Sequence, residues 1–179
     1  TKTMRKRIAY SQNFLKSNEL VAKLIETTSI TVEDIVYEIG AGQGIITQEL
    51  LRKSNKVIAF EIDENLAKKL RAKLGSHDNL EIIQGDFLNY KLPNKPYKVF
   101  SNIPFNISSA VIKKLTEAPQ PPNDAYLIVQ KEAAQKFAGK PTDKINSQIA
   151  ILLKPWFELK IIHNFQRSDY FPKPSVDTV

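Results

Sequence analysis

An open parallel β-sheet with helices on both faces is the α/β fold class this sequence predicts, and three observations predict it. Strand-like apolar runs alternate with helical patterns along most of the chain. Those runs end on glycine, acidic residues or asparagine, at the edge where such sheets bind ligands. The 179 residues are 42% hydrophobic, enough for one domain with a substantial core. The longest apolar runs, such as Ile149 to Leu153, are too short to span a bilayer.

The elements follow in order. A helix is expected over roughly Asn18 to Thr28. "DIVYEIG" (34–40) reads as a strand closed by glycine, and "IITQELLRK" (45–53) places Ile46, Leu50 and Leu51 at helical spacing. "KVIAFEID" (56–63) is a strand. "ENLAKKLRAKL" (64–74) carries Leu66, Leu70 and Leu74 on one stripe, with basic residues opposite. "LEIIQGD" (80–86) and "YKVFSN" (97–102) are strands, and "SSAVIKKL" (108–115) is a helix opened by serine caps. "AYLIVQ" (125–130) is a strand, followed by a helix "KEAAQKFAG" that stops at Gly139. "WFELKIIHNF" (156–165) is expected as a late strand. "EAPQPPND" (117–124) and "GKPTDKINS" (139–147) are loops by composition.

Composition narrows the function. There is no cysteine, which excludes disulfides, thiolate nucleophiles and cysteine metal sites. The two histidines, His77 and His163, lie far apart, and no metal site is expected. A net charge of +7 suits a polyanionic partner, and Lys2, Arg5, Lys6 and Arg7 cluster near the start. No apolar segment follows that basic start, so neither a secretory signal nor a membrane association is expected, and the expected location is the cytoplasm.

The strand ends carry the chemistry. "EIGAGQG" (38–44) offers Gly40, Gly42 and Gly44, where backbone can approach a ligand closely. Glu61, closing the next strand, stands at about the 20-residue spacing at which an acid meets ribose hydroxyls. Asp86 closes the third strand and Asn102 the fourth. A dinucleotide fingerprint wants a glycine where Ile45 stands. The pattern fits S-adenosylmethionine better, with its methionine part over the glycines, its ribose at Glu61 and its adenine amino group at Asp86. Asp63 is read as structural.

"SNIPFNISS" (101–109) is a poor strand and a poor helix. Beside a methyl donor it reads as an amine grip. An exocyclic amine is a weak nucleophile because its lone pair is delocalised into the ring. Two acceptors on its protons favour a tetrahedral nitrogen. Asn102 supplies one, and the carbonyl of Ile103 or Pro104 the other, in a turn that proline fixes. Phe105 is placed to stack on the base. C5-pyrimidine methylation normally needs a cysteine, so its absence favours the amine route independently.

"YSQNFL" (10–15), "EIGAGQG" (38–44), "FEID" (60–63), "QGDFL" (84–88), "NIPFNIS" (102–108) and "FPKPSVDT" (171–178) occur in the order seen in rRNA adenine N6-methyltransferases. The chain resembles this family over essentially its whole length. The family includes the Erm enzymes of macrolide resistance and the KsgA-type dimethyltransferases. The resemblance implies a class I S-adenosylmethionine-dependent methyltransferase fold, Rossmann-like, with a mostly parallel seven-stranded sheet. It implies cofactor contacts from Asn13, Leu15, Gly40, Gly42, Glu61, Asp86 and Asn102. It implies catalytic roles for Asn102, Pro104 and Phe105, with Phe171 as a second aromatic wall of the target pocket. The partner implied is rRNA, 23S rather than 16S, and the state implied is a monomer. "IAYSQNFL", "VYEIG", "AYLIVQ" and "FPKPSV" lean towards the Erm branch, which would make the enzyme a macrolide-lincosamide-streptogramin B resistance determinant. "VQKEAAQKFAG" leans towards the KsgA type and 16S rRNA. A non-catalytic RNA-binding or assembly module is the alternative of another class.

Three positions depart from the family pattern. Phe105 stands where tyrosine is commoner, Ser101 where glycine is frequent, and Gln43 where Erm sequences often carry a basic residue. The chain opens on Thr1 and stops at Val179, just past the last motif. It is therefore expected to be an isolated catalytic domain, 1–179, without the family's C-terminal helical RNA-binding domain.

Overall fold

The computed structural model describes residues 13–138 and 158–179. A short strand β1 (Phe14–Leu15) precedes α1 (Asn18–Glu26), which Ser17 caps by accepting from the Leu20 N–H. Five strands then alternate with helices: β2 (Ile35–Ile39), α2 (Ile45–Lys53), β3 (Lys56–Glu61), α3 (Glu64–Leu74), β4 (Leu80–Gln84), β5 (Lys98–Asn102), α4 (Ser108–Thr116), β6 (Asp124–Ile128) and α5 (Lys131–Ala138). A two-residue strand β7 (Tyr170–Phe171) pairs antiparallel with β1.

The five central strands form one parallel sheet in the order β4-β3-β2-β5-β6. From β2 the chain works outward through β3 and β4, then returns to lay β5 on the other side of β2. The order therefore reverses between β2 and β5, and a crevice opens there beyond the carboxyl ends.

Strand alternation sorts the core into two layers. Val36, Val57 and Ala59 face α1, α2 and α3 through Val21, Ile25, Ile46, Leu50 and Leu70. Tyr37, Ile39, Ile58 and Phe60 face the other way, onto Val111 and Leu115 of α4 and the aromatic rings of Phe87 and Tyr97. Lys98, nearly buried at the start of β5, bonds Asp34 at 2.9 Å and the Ser29 carbonyl at 2.6 Å. It ties the floor of the sheet together, away from the crevice. No described helix is long and apolar enough to cross a membrane.

The sheet is parallel, as expected, with five strands among the described residues. Two expectations change. The stretch 156–165 is not a strand over 158–165, where Glu158, Lys160, Ile161 and Ile162 are exposed and no neighbouring strand pairs with them; 156–157 lie outside the described residues. Instead the C-terminus covers the β6 side: the Val129 and Val179 N–H groups exchange bonds of 3.0 Å, and the Lys131 N–H donates to the Asp177 carbonyl. The serines before α4 do not cap it. A 3₁₀ turn (Phe105–Ile107) leads into the helix, and the Ser108 hydroxyl turns back to the Pro104 carbonyl at 3.4 Å. Gly139, the loop 139–147 and the basic cluster Lys2, Arg5, Lys6 and Arg7 lie outside the described residues.

Candidate active site

The ladder between β2 and β5 pairs Val36 with Lys98 and Tyr37 with Val99. Beyond it a side chain takes over: the Ile39 N–H donates to the fully buried Ser101 hydroxyl at 2.6 Å. Serine where glycine is frequent thus has a structural purpose, holding the two strand ends level. The glycine turn follows immediately on β2. The Gly40 and Ala41 N–H groups both donate to the Phe60 carbonyl, at 2.8 and 2.9 Å, which fastens the turn to the end of β3.

Gly40 and Gly42 both take left-handed backbone in this turn, and each touches a neighbouring ring. Gly40 has φ +75, and a Cβ there would meet the Pro104 ring at 3.4 Å. Gly42 has φ +55, and a Cβ would stand 2.6 Å from the Phe14 ring. One side of the turn therefore lies against the Asn102–Pro104 kink and the other against β1. The Asn102 side-chain N–H donates to the Asn13 carbonyl at 2.8 Å, joining the kink to the segment that enters β1. Asn102 Oδ1 has no partner among the described residues. The Pro104 carbonyl accepts from the Ile107 N–H at 3.0 Å. The Ile103 N–H donates to the Ile128 carbonyl, and the Ile103 side chain is buried.

Glu61 is buried at the end of β3. It accepts from the Gly42 N–H at 2.7 Å through one oxygen and from the Asp63 N–H at 2.9 Å through the other. Burial pushes its carboxyl above the ordinary carboxylate range, while those two N–H groups pull it back. A carboxylate has about four lone-pair sites, so acceptor capacity remains after both bonds. Asp63, read as structural, caps α3 by accepting from Asn65 and Leu66. Asp86 is exposed, and one of its oxygens accepts from the Leu88 N–H at 2.9 Å.

A second buried acid lies beneath the turn. Glu38 accepts from the Thr47 hydroxyl at 2.6 Å, and both are buried. Burial pushes the Glu38 carboxyl up to about 8, and the nearby Glu61 charge adds to the rise. Phe105 is half-buried in its 3₁₀ turn, and Phe171 is 69% exposed. Phe171 pairs in register with Phe14, so the first and last motifs meet over the glycine turn. Leu15 is buried in the core beside them. Among the described residues no group of three histidine or acidic side chains could hold a metal.

The structure brings together Asn13, Gly40, Gly42, Asn102 and Pro104 through the contacts above, and links Glu61 to Gly42. Sequence reasoning missed Phe14, which covers Gly42; Ile62, an apolar side chain left 44% exposed beside Glu61; and the Glu38–Thr47 pair. "FEID" held a signal for Ile62, an apolar residue just past a strand end. The packing of Phe14 has none, because it depends on a pairing between the two ends of the domain.

Comparison with known proteins adds a family. The family model described as ribosomal RNA adenine dimethylase matches residues 3–179. The chain is 34% identical over 167 residues to "Ribosomal RNA small subunit methyltransferase A" of Thermotoga petrophila, covering 93% of this chain and 64% of that protein. It is 34% identical over 178 residues to an "rRNA adenine N-6-methyltransferase" of Saccharopolyspora erythraea, covering 99% of this chain and 46% of that protein. The crystal structure of the 23S rRNA methyltransferase ErmE superposes with a TM-score of 0.83 at 33% identity, covering 93% of this chain and 67% of that one.

Two predictions test this packing. Ser101→Ala leaves the buried Ile39 N–H without its acceptor and should cost about 1–3 kcal/mol, read as a lower urea midpoint. An unchanged midpoint would show that the hydroxyl is idle. Glu38 has a folded pKa of about 8, above the 4.5 of the unfolded chain. The folded state therefore holds the extra proton between those values, and stability falls as pH rises through that window and levels off above it. Glu38→Gln should flatten the fall; an unaltered pH profile would contradict it.

Proposed function

The chain belongs to the ribosomal RNA adenine dimethylase family, and on that premise we propose that it is the catalytic domain of an S-adenosylmethionine-dependent rRNA adenine N6-methyltransferase. The observation that carries the proposal is the position of the Asn102–Pro104 kink. It lies against Gly40, with the amide nitrogen of Asn102 tied to Asn13 and its oxygen left for a substrate.

The residues fit the cofactor. Gly40 and Gly42 add no side chain of their own to the turn, which is flanked by the Pro104 and Phe14 rings. Glu61 is an acceptor held rigid by two backbone donors, suited to a ribose diol. Ile62 offers an apolar face next to it, and the second oxygen of Asp86 suits an adenine amino group. When bound, S-adenosylmethionine supplies an electrophilic methyl group. The protein grips the target amine between Asn102 Oδ1 and the Ile103 carbonyl, since the Pro104 carbonyl already serves the 3₁₀ turn. These two acceptors draw on the N–H protons and localise the nitrogen lone pair. Phe105 and Phe171 hold the base, at about 1–3 kcal/mol per stacked ring, against the few kcal/mol that extruding a base costs. Pro104 keeps the turn in place. The rest of the rate comes from holding the nitrogen in line with the methyl group.

Of the two rRNA substrates, 23S is favoured by the Erm-like motifs and by the match to ErmE, and it would confer macrolide-lincosamide-streptogramin B resistance. The 16S reading is supported by relatives of equal identity named for the small subunit.

Labelled S-adenosylmethionine with separate 23S and 16S rRNA decides the matter. Label on N6 of a 23S adenine is expected; label on 16S adenine moves the enzyme to the other branch, and label on cytosine or on protein overturns the chemistry. In the same assay Phe105→Ala should lower methyl transfer about 10- to 100-fold, in line with the stacking energy, and leave S-adenosylhomocysteine affinity within about twofold. A loss confined to cofactor binding would remove Phe105 from the target pocket.

Glu61 gives a pH signature. Its carboxylate form is the acceptor, and its pKa is raised by burial. Cofactor affinity should therefore fall on acidification at a higher pH than an ordinary glutamate would give. Glu61→Gln should bind S-adenosylhomocysteine more weakly at neutral pH and lose this acid limb. Retention of the limb would assign it to another group.

A further inference from the structure

Beside the glycine turn lies a cleft of about 340 Å³ that the mechanism does not use. Phe14, Lys16, Gln43, Lys73 and Phe171 are among its walls. Leu15 lines it too, but Glu61, Asp86 and Asn102 do not, so it adjoins the place where a nucleoside cofactor fits without including the ribose, adenine and amine contacts. Three features give it a chemical character. Lys16 and Lys73 are exposed, and among the described residues no carboxylate pairs with either. Lys73 is held towards the turn by its bond to the Gln43 carbonyl at 3.4 Å. The backbone of Lys16 is pinned as well, its N–H donating to the Asp169 carbonyl at 2.9 Å. The aromatic residues Phe14 and Phe171 are cross-strand partners at one end of the cleft. Two cations without counter-ions and a pair of aromatic rings in a space of this size suit one nucleotide, with a phosphate for the lysines and a base for a ring.

Phe171 fixes which nucleotide. It is the residue shared between this cleft and the proposed target pocket, so the two adjoin. We infer that the Lys16–Lys73 cleft binds the nucleotide adjoining the methylated adenine, with its phosphate between the two ammonium groups and its base against Phe14. This rests on the adenine N6-methyltransferase reading above. It adds a specificity-determining subsite on the glycine-turn side, whose two lysines lie outside the cofactor and amine contacts.

The test uses the full chain with protein-free 23S rRNA as the binding probe, titrated over a series of salt concentrations. Lys16→Gln with Lys73→Gln should weaken RNA binding about 5- to 10-fold at low salt. It should also make the slope of log Kd against log salt shallower by about 0.7 or more, the release expected for one single-strand phosphate. S-adenosylhomocysteine affinity should stay within about twofold. The arginine pair, Lys16→Arg with Lys73→Arg, should keep the slope. Lys95→Gln, an exposed lysine just before the amino end of β5, should leave both quantities unchanged. If the wild type methylates adenine while the glutamine pair keeps wild-type affinity and slope, the subsite is overturned and the functional reading stands. If the glutamine pair and Lys95→Gln lose equally, the contact is diffuse attraction and the subsite is likewise overturned. If the wild type methylates no adenine, both fall together.

Discussion

The carboxyl ends of β2 and β5 are held side by side by one buried hydrogen bond, from the Ile39 N–H to the Ser101 hydroxyl. The regular ladder has already ended two residues earlier. Without an acceptor at Ser101 the Ile39 N–H would be a buried, unpaired donor, which few native structures tolerate. With it, the glycine turn leaves β2 at the level where the Asn102–Pro104 kink leaves β5. The contact of Gly40 with Pro104 and the reach of Asn102 to Asn13 both inherit that alignment.

Two buried acids sit next to this alignment and behave differently because their partners differ. Glu61 receives two backbone N–H groups, donors whose positions the fold itself fixes, and its acceptor capacity is not exhausted. Glu38 receives one hydroxyl and lies wholly inside. Desolvation outweighs the Thr47 hydrogen bonding at Glu38 and raises its carboxyl to about 8, and the pair links β2 to the first turn of α2. Both carboxylates belong to the same short stretch of polar interior, and a charge on each at once would be costly.

Much of the sheet was legible in the sequence because its elements are governed locally. The stripe of Leu66, Leu70 and Leu74 and the cap at Asp63 mark α3, and Ile46, Leu50 and Leu51 after Gly44 mark α2. The strand-end residues were legible for the same reason: each stands where a local pattern stops. The stretch 158–165 misled because partial alternation is a weak signal without a neighbouring strand to receive it. The serines at 108 and 109 misled because a 3₁₀ turn displaced the start of the helix, so Ser108 became its first residue rather than its cap. The roles of Phe14, Ser101 and Thr47 depend on partners far away in the chain, and no window of sequence contains them.

The ribbon of β1 and β7 has a consequence for how the molecule comes into being. Nearly the whole described domain lies between Phe14 and Phe171, so this pairing is among the contacts of longest range and closes late by loop entropy. A growing polypeptide can present the turn, the acids and the kink well before Tyr170 and Phe171 have been made. It cannot seat Phe14 against Phe171 until those residues emerge. Until then β1 has no antiparallel partner, and Phe14 has no cross-strand neighbour beside the glycine turn.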